Sequence, residues 1–297
     1  MLAHRMPVAF TLVGAFATAL ASPALAEPAA LKPSSNWHVD YGEDVCRLSR
    51  EFGDEKNKHY LTLRQYWPAR EAGLTVAGPA FRKFASRQKT SLRFAEDRPE
   101  WESRPFAGTV EGYGSAVIFA TVNIAKAEPE SNQADSAGKE NPRGGLDLSE
   151  AAKVRFVELK QGVRVVRLDT GPLTEAFKVM NDCTTSLVKE WGLDPERLRT
   201  AQNGPRWINQ ASLVRKIGSL YPGGALLGGE QGIMRMRVIV DDQGAVEQCS
   251  IIKATNTQNL ESPACEVMKS AKFEPARDAT GQPMRSFYAT SISYVIN

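Results

Sequence analysis

The sequence is poor in the residues that most often carry metal and acid–base chemistry. It contains three histidines in 297 residues, and two of them, His38 and His59, lie beyond the first 26 positions. A catalytic triad or a histidine-rich metal site needs more histidines, or better placed ones. No two cysteines stand in the Cys-x-x-Cys spacing of zinc ribbons and thioredoxin-like redox sites. The four cysteines are Cys46, Cys183, Cys249 and Cys265. The sequence therefore predicts no metal, no cofactor and no enzymatic activity.

An excess of charge of one sign is also lacking. Lys and Arg total 37 against 34 Asp and Glu, a net charge of +3, whereas nucleic-acid binding needs a dense basic surface. We therefore expect no nucleic acid among the partners. Hydrophobic residues make up 42% of the chain, which excludes a disordered protein. The length is typical of about two domains.

Long apolar runs are absent except near the N-terminus. Arg5 is followed by the uncharged stretch 8–21, and Ala24 and Ala26 form the small-residue pattern of a signal-peptidase site. The stretch is shorter than the ~20 residues that a membrane-spanning helix needs. The sequence predicts that residues 1–26 are a signal peptide cleaved after Ala26, and that the mature protein is periplasmic. An uncleaved membrane anchor is the alternative.

The rest of the chain divides into segments by composition and periodicity. Residues 27–35 are a polar leader that we expect to be loose. Residues 36–192 are predicted to be a β-rich domain that ends with a helical pattern at 174–191. Within it, residues 126–145 hold almost no large apolar residue, which predicts a loop or a disordered insertion. Residues 193–220 are predicted to be a connector with one short helix.

The last segment, residues 221–297, is predicted to be a small α+β module. The stretch 232–240 alternates strictly, with Arg235 and Arg237 on the face opposite the apolar residues, and a polar turn leads to a returning strand. A helical pattern at 260–271 and a closing strand follow. The predicted fold class is α+β: a β-rich N-terminal domain and a C-terminal module with a three-stranded antiparallel sheet and one or two helices.

This segment carries a series of short motifs. They are Tyr221-Pro222, Glu230-Gln-Gly232, Gly244, Lys272-Phe273-Glu-Pro275 and Gly281-Gln-Pro283. In their order and spacing they resemble the C-terminal domain of the TonB family of periplasmic energy transducers. The resemblance covers about a quarter of the chain. It implies a small sheet with one free strand edge, to which an extended segment of an outer-membrane receptor adds a strand.

The resemblance also assigns candidate partner-binding residues. By resemblance the closing strand is the free edge, so the candidates are the Tyr-Pro pair and alternate residues of that strand. They are Tyr221, Pro222, Tyr288, Thr290, Ile292 and Tyr294. We expect an envelope protein as the partner, in the form of a receptor segment, with a homodimer as the alternative. A purely structural role for this strand is the other interpretation.

The chain departs from the family pattern in two respects. A transducer has a membrane anchor and a long proline-rich spacer, whereas this N-terminus is predicted to be cleaved and the connector holds just Pro195 and Pro205. We therefore predict an exported protein-binding protein of the cell envelope, linked to transport through outer-membrane receptors. A membrane-anchored energy transducer is the first alternative.

A periplasmic hydrolase is the second alternative. Asp169-Thr170-Gly171 resembles the active-site tripeptide of aspartic proteases, a chemistry that needs two carboxylates sharing one proton, and the chain has one copy. Ser86-x-x-Lys89 and Ser186-x-x-Lys189 match a serine-nucleophile motif, but the Ser-Asp-Asn and Lys-Thr-Gly elements that accompany it are absent. A strand-to-helix turn and chance matches are the plainer interpretations.

Positive charge is concentrated at one place. Arg82, Lys83, Arg87, Lys89 and Arg93 follow one another closely, with phenylalanines interleaved. The pattern is typical of a solvated strand pair, or of a surface that contacts an acidic polymer or a membrane.

If the protein is exported as predicted, its four cysteines are expected to form disulfide bonds. Disulfides persist in the periplasm, and four cysteines allow three connectivities. Two of them lie in the predicted N-terminal domain and two in the C-terminal module. The domain division therefore selects Cys46–Cys183 and Cys249–Cys265, one bond in each part.

The export signal gives a testable prediction. Mass spectrometry of the protein recovered from the periplasm should show an N-terminus at Glu27, because signal peptidase cuts after the small-residue motif. Ala26→Phe should block this cleavage, whereas Ala30→Phe should leave it unchanged. Recovery of the intact chain in the membrane fraction would favour the anchored alternative.

Overall fold

The computed structural model describes residues 30–124 and 144–296. The predicted signal peptide, residues 1–26, and residues 126–143 of the predicted insertion lie outside the described residues. The predicted α+β class is confirmed, because a β-rich N-terminal region is followed by a C-terminal sheet of antiparallel strands. Within the described ranges, no helix combines the length and the apolar composition that crossing a bilayer requires.

The N-terminal region is built from two sheets. In chain order its strands are β1 Ala30–Leu31, β2 His38–Tyr41, β3 Cys46–Phe52, β4 His59–Gln65, β5 Ala72–Ala77, β6 Thr90–Arg93, β7 Trp101–Ser103, β8 Phe106–Val110, β9 Gly114–Val122, β10 Val157–Gln161 and β11 Arg164–Leu168. The first sheet has the order β2-β3-β4-β5-β9-β8 and is antiparallel. The second has the order β1-β11-β10-β6-β7, with β1 parallel to β11.

The two sheets share one apolar core. Leu63 of β4 enters it from the first sheet, and Leu92 of β6 and Leu159 of β10 enter it from the second. The rings of Trp101 and Phe119 lie 6.1 Å apart between centroids, which brings β7 against β9. Alternating side chains thus turn their apolar face inward, as two packed sheets require.

Two helices complete this core, α1 at Leu148–Ala151 and α2 at Thr174–Glu190. The helical pattern of the sequence predicts α2, whose buried stripe includes Phe177. Cys183 on the same stripe is bonded to Cys46 of β3, with an S–S distance of 2.04 Å. This pairing is the one that the domain division predicts.

The leader at 27–35, predicted to be loose, is held in place over its described part. Ala30–Leu31 pairs with β11, and the N–H of Ser34 donates to the carbonyl of Glu51 at 2.9 Å. The prediction was wrong for these residues because main-chain hydrogen bonds to a sheet depend little on side-chain composition.

The segment at 193–220 contains more structure than the predicted connector with one helix. It forms α3 at Pro195–Thr200, β12 at Arg206–Trp207 and α4 at Gln210–Ser219. The last of these is the short helix that the sequence predicts. β12 has no counterpart in the prediction, because two residues give too short a pattern to recognise.

The C-terminal sheet has the predicted three antiparallel strands, in the order β14-β13-β18. The elements here are α5 Gly223–Leu227, β13 Gly232–Val240, β14 Val246–Lys253, α6 Ala264–Met268, β15 Phe273–Glu274, β16 Ala276–Arg277, β17 Pro283–Met284 and β18 Ser286–Tyr294. The helix predicted at 260–271 is shorter because Pro263 disfavours helical backbone in the residue before it. Cys249 of β14 is bonded to Cys265 of α6, with an S–S distance of 2.07 Å, which is the second predicted pairing.

The central strand β13 is buried along its whole length. Met236 and Val238 pack in the core that contains Trp207 and residues of α4 and α6. Arg235 and Arg237, on the opposite face, are only 5% and 6% exposed. Strict alternation is typical of a strand with one face in water, but here the N-terminal region covers the polar face as well.

The two arginines of β13 make polar contacts across this interface. The Arg237 guanidinium lies 4.2 Å from the centre of the Trp191 ring and 3.4 Å from Asp44 Oδ1. The Arg235 guanidinium lies 5.1 Å from the centre of the Tyr66 ring and donates to a main-chain carbonyl of β9. Burial lowers the pKa of Arg237, and the charge of Asp44 opposes that shift. A planar guanidinium stacked on an aromatic face is one way to bury such a charge.

Apolar side chains from both regions surround these contacts. They are Val45, Tyr66, Trp67, Val188, Leu193, Ile239, Phe287 and Ala289. The rings of Trp191 and Phe287 meet edge to face, with centroids 5.1 Å apart. The interface therefore combines an apolar cluster with two stacked guanidinium groups.

Arg237→Ala should lower the free energy of unfolding by about 2 kcal/mol, because it removes a buried stacking contact and leaves Asp44 without its cation. Chemical denaturation followed by tryptophan fluorescence measures this. Arg199→Ala, which removes an exposed charge paired within one helical turn, is the control and should cost less than about 0.5 kcal/mol. Equal effects of the two variants would contradict the buried interface.

Candidate partner-binding edge

β18 forms one edge of the C-terminal sheet. Its 9 residues all pair with β13, from Ser286 opposite Val240 to Tyr294 opposite Gly232, without a bulge. Within the part of the chain that the structure describes, no strand pairs with the other side of β18. Ser286–Ala289 are buried, whereas Thr290–Ser293 are half-buried or exposed, so the outward backbone groups of the second half of the strand are open to an incoming chain.

The ladder of β13 shows which backbone groups of β18 point outward. The N–H of Ala254 donates to the carbonyl of Ile233 at 2.9 Å, so the backbone of Ile233 faces β14 and that of Met234 faces β18. In an antiparallel ladder both backbone groups of a residue point to one side, and successive residues alternate. Ile292, opposite Met234, therefore faces inward. Ser293, the exposed next residue, presents its N–H and carbonyl outward.

A groove of about 370 Å³ runs beside this edge. One wall is formed by α4 and by Tyr221, which follows it two residues after its end. The wall residues are spaced three or four positions apart along one face of the helix: Gln210, Val214, Ile217, Gly218 and Tyr221. The other wall is β18 itself. Gly218, in the last turn of α4, has no side chain, which leaves the groove open at that end of the helix.

The structure brings five of the six candidate partner-binding residues together. Tyr288, Thr290, Ile292 and Tyr294 lie on one side of β18 because alternate strand residues share a face. They line the groove with Tyr221. The two strand tyrosines are buried, at 5% and 4% exposure, and form the floor, while Thr290 and Ile292 are half-buried.

Pro222 is the candidate that lies elsewhere. It is the residue before α5 and does not line the groove. Its fixed φ suits the start of a helix, which favours a structural role.

The sequence analysis does not identify the groove residues that lie in the segment predicted to be a connector. They are Trp207, Gln210, Val214, Ile217 and Gly218. The amphipathic pattern that begins near Asn209 predicts a helix here, but it does not show against which surface that helix packs. The Trp207 ring stacks on Phe273 at 6.0 Å and meets Tyr288 edge to face at 5.6 Å.

Hydrogen bonds fix the aromatic end of the groove. Tyr221 donates its hydroxyl to the carbonyl of Glu230 at 2.5 Å, and its ring meets that of Tyr294 at 5.2 Å. The hydroxyls of Tyr294 and Ser262 lie 2.8 Å apart. Burial raises the pKa of both tyrosines. Both therefore stay neutral at physiological pH.

The candidate catalytic residues make structural contacts. Asp169 Oδ2 lies 2.6 Å from Lys32 Nζ. Ser86 Oγ accepts a main-chain N–H at 3.1 Å, and Ser186 Oγ donates to a main-chain carbonyl at 3.2 Å. Both ring nitrogens of His59 are engaged by main-chain atoms. In residues 30–124 and 144–296 no group of His, Cys, Asp and Glu is arranged to hold a metal ion. These contacts do not favour the hydrolase alternative.

Trp207→Ala should lower the free energy of unfolding by about 3–5 kcal/mol, because a large buried ring is lost. Trp207→Phe keeps a stacking partner for Phe273 and should cost less. Ile208→Ala, at a site 53% exposed, is the control and should stay within about 0.5 kcal/mol. Chemical denaturation measures all three. A cost for Trp207→Ala as small as that of the control would show that β12 is not part of this core.

Comparison with protein families identifies the region that contains the groove. Residues 218–296 match the family of the Gram-negative bacterial TonB protein C-terminal. The match covers β13, β14 and β18 and begins in the last turn of α4, so the predicted resemblance is confirmed. It spans about a quarter of the chain. A search of curated proteins found none that matches.

Proposed function

We propose that this protein is an exported adaptor of the bacterial cell envelope, which captures an extended segment of a partner protein on the edge of β18. The matched family is envelope-associated, and its domains interact with outer-membrane receptors. The partner that we propose is therefore a periplasmic segment of such a receptor. The family is not enzymatic, and the proposed function is binding without catalysis.

The observation that carries the proposal is the outward-facing backbone of β18 beside an apolar groove. An added strand would gain main-chain hydrogen bonds from residues such as Ser293. Its alternate side chains would enter the groove formed with α4. Backbone pairing supplies affinity and side-chain pockets supply selectivity in this mode of recognition.

The N-terminal region supports this function by holding the sheet from behind. Ile239 of β13 and Phe287 of β18 pack against it, so the edge strand is fixed before a partner arrives. A surface ordered in advance loses less conformational entropy on binding. We also propose that the chain divides near residue 200 into a part that supports the sheet and a part that binds the partner.

Residues 193–220 favour an adaptor over a motor-coupled transducer. A spacer that reaches across the periplasm must be extended, whereas here Trp207 packs in the core of the C-terminal sheet and α4 forms a wall of the groove. Extending this segment would require removing both from the sheet. The mass of the mature N-terminus distinguishes the two functions independently.

Two substitutions at Ser293 test the proposal. Ser293→Pro removes an outward N–H without breaking the bonds to β13, and proline is tolerated at such edge positions. It should weaken binding of a peptide that copies a periplasmic segment of an outer-membrane receptor by at least tenfold, because one main-chain bond is lost and the ring obstructs its neighbours. Ser293→Ala keeps the N–H and should bind like the unaltered protein. Fluorescence anisotropy with labelled peptides measures the affinities.

Hydrogen exchange locates the contact. On binding, the amide of Ser293 should become protected, while that of Ile292, already bonded to β13, should change little. Peptide affinity that is the same for the proline and alanine variants would refute strand addition at this edge. Concentration-dependent protection of Ser293 without peptide would indicate the homodimer instead.

A further inference from the structure

We propose that the N-terminal region binds an anionic membrane surface through one end of its second sheet. The surface is defined by five exposed basic residues, and we call it the cationic end: Arg82, Lys83, Arg87, Arg104 and Arg164. It lies outside the family match, and its function is separate from that of the β18 edge.

Three loops meet at the cationic end. The side-chain amide of Gln161 at the end of β10 bonds both the N–H and the carbonyl of Ala85, at 2.8 and 3.1 Å. This joins the loop at 82–89 to the turn between β10 and β11, which carries Arg164. Thr90 pairs with Ser103, so the residue after Ser103, Arg104, lies beside the same loop. Basic residues distant in sequence thus share one end of a sheet.

Within the described residues, no carboxylate neutralises the charges of the cationic end. Neighbouring Lys89 and Lys160 have acidic partners, at 2.7 and 4.0 Å, and Arg93 pairs with Glu158 at 2.8 Å. In the described residues, none of the five members of the cationic end lies within ion-pair distance of a carboxylate. A chain with a net charge of +3 therefore concentrates on one surface five cations that no carboxylate of the described residues pairs with, and such concentration attracts anionic surfaces.

Arg87 has an unusual backbone conformation. Its φ is +61°, and among the described residues it is the one non-glycine with positive φ. The left-handed conformation is costly for a residue with a Cβ. It is held by an N–H bond to the carbonyl of Pro105 at 2.7 Å and by the guanidinium lying 5.5 Å from the centre of the Phe106 ring. The loop is thereby fixed with its charges outward.

Val163 indicates which anionic surface fits. It lies at the tip of the turn between β10 and β11, is 96% exposed and is followed directly by Arg164. A membrane interface offers anionic headgroups to the cations and an apolar layer to the valine. A soluble polyanion or an acidic protein surface would interact favourably with the cations but would not bury the valine. The arrangement therefore favours a membrane.

Vesicle cosedimentation with the full mature chain tests the proposal. The protein should bind vesicles of equal parts phosphatidylglycerol and phosphatidylcholine, but not pure phosphatidylcholine, and high salt should release it. The triple variant Arg82→Gln, Lys83→Gln, Arg164→Gln should bind about fivefold more weakly for each charge removed. The control, Lys178→Gln, Lys189→Gln, Lys272→Gln, removes equal charge from other exposed positions and should bind like the unaltered protein.

Val163→Ser separates the membrane from other anions. It should weaken vesicle binding several-fold and leave binding to soluble polyphosphate unchanged, whereas the charge variant weakens both. Equal losses in the charge variant and its control would overturn the proposal, since net charge alone would explain binding. An unchanged affinity of Val163→Ser for vesicles would overturn the membrane as the target. Salt-insensitive binding of the unaltered protein would contradict the proposal without any variant.

Discussion

The burial of β13 on both faces is the constraint on which the rest of the structure depends. Its apolar face packs against the helices and Trp207, and its arginine face packs against the N-terminal region. A three-stranded sheet covered in this way has only its two edges left for contacts. The disulfide from Cys249 to Cys265 ties α6 to β14, on the side of the sheet away from β18. A groove lies beside the edge of β18.

The same constraint makes the N-terminal region a structural part of the binding surface. Cys183 fixes α2 to β3 through its disulfide, and Trp191, the residue after α2, contacts both Arg237 and Phe287. Packed side chains therefore form a continuous path from the core of the first region to the edge strand. Without that cover, two arginines and an apolar cluster would meet water on the back of the sheet. The C-terminal sheet thus depends on cover from residues that lie outside the family match.

The sequence predicts the helices and strands better than it predicts which residues pack against them. Alternation at 232–240 identifies β13, and the spacing at 174–191 identifies α2, because both depend on local periodicity. The same alternation cannot show that Arg235 and Arg237 are buried, since their cover comes from residues distant in sequence, such as Asp44, which lies 193 positions before Arg237. The disulfide pairing follows from the order of the cysteines and the domain division. The basic stretch at 82–93 indicates part of the cationic end, but Arg104 and Arg164 could not be assigned to it, because they join it only through strand pairing.

The two proposed surfaces complement each other energetically. Strand addition at one edge provides a few main-chain bonds and one groove, which must offset the rotational and translational entropy lost on association. Attachment to an anionic membrane would confine the adaptor to the layer in which receptors are embedded, and confinement raises the effective concentration of one partner around the other. Neither surface then needs high affinity by itself. The cationic end and the β18 edge lie on different sheets and have no residue in common.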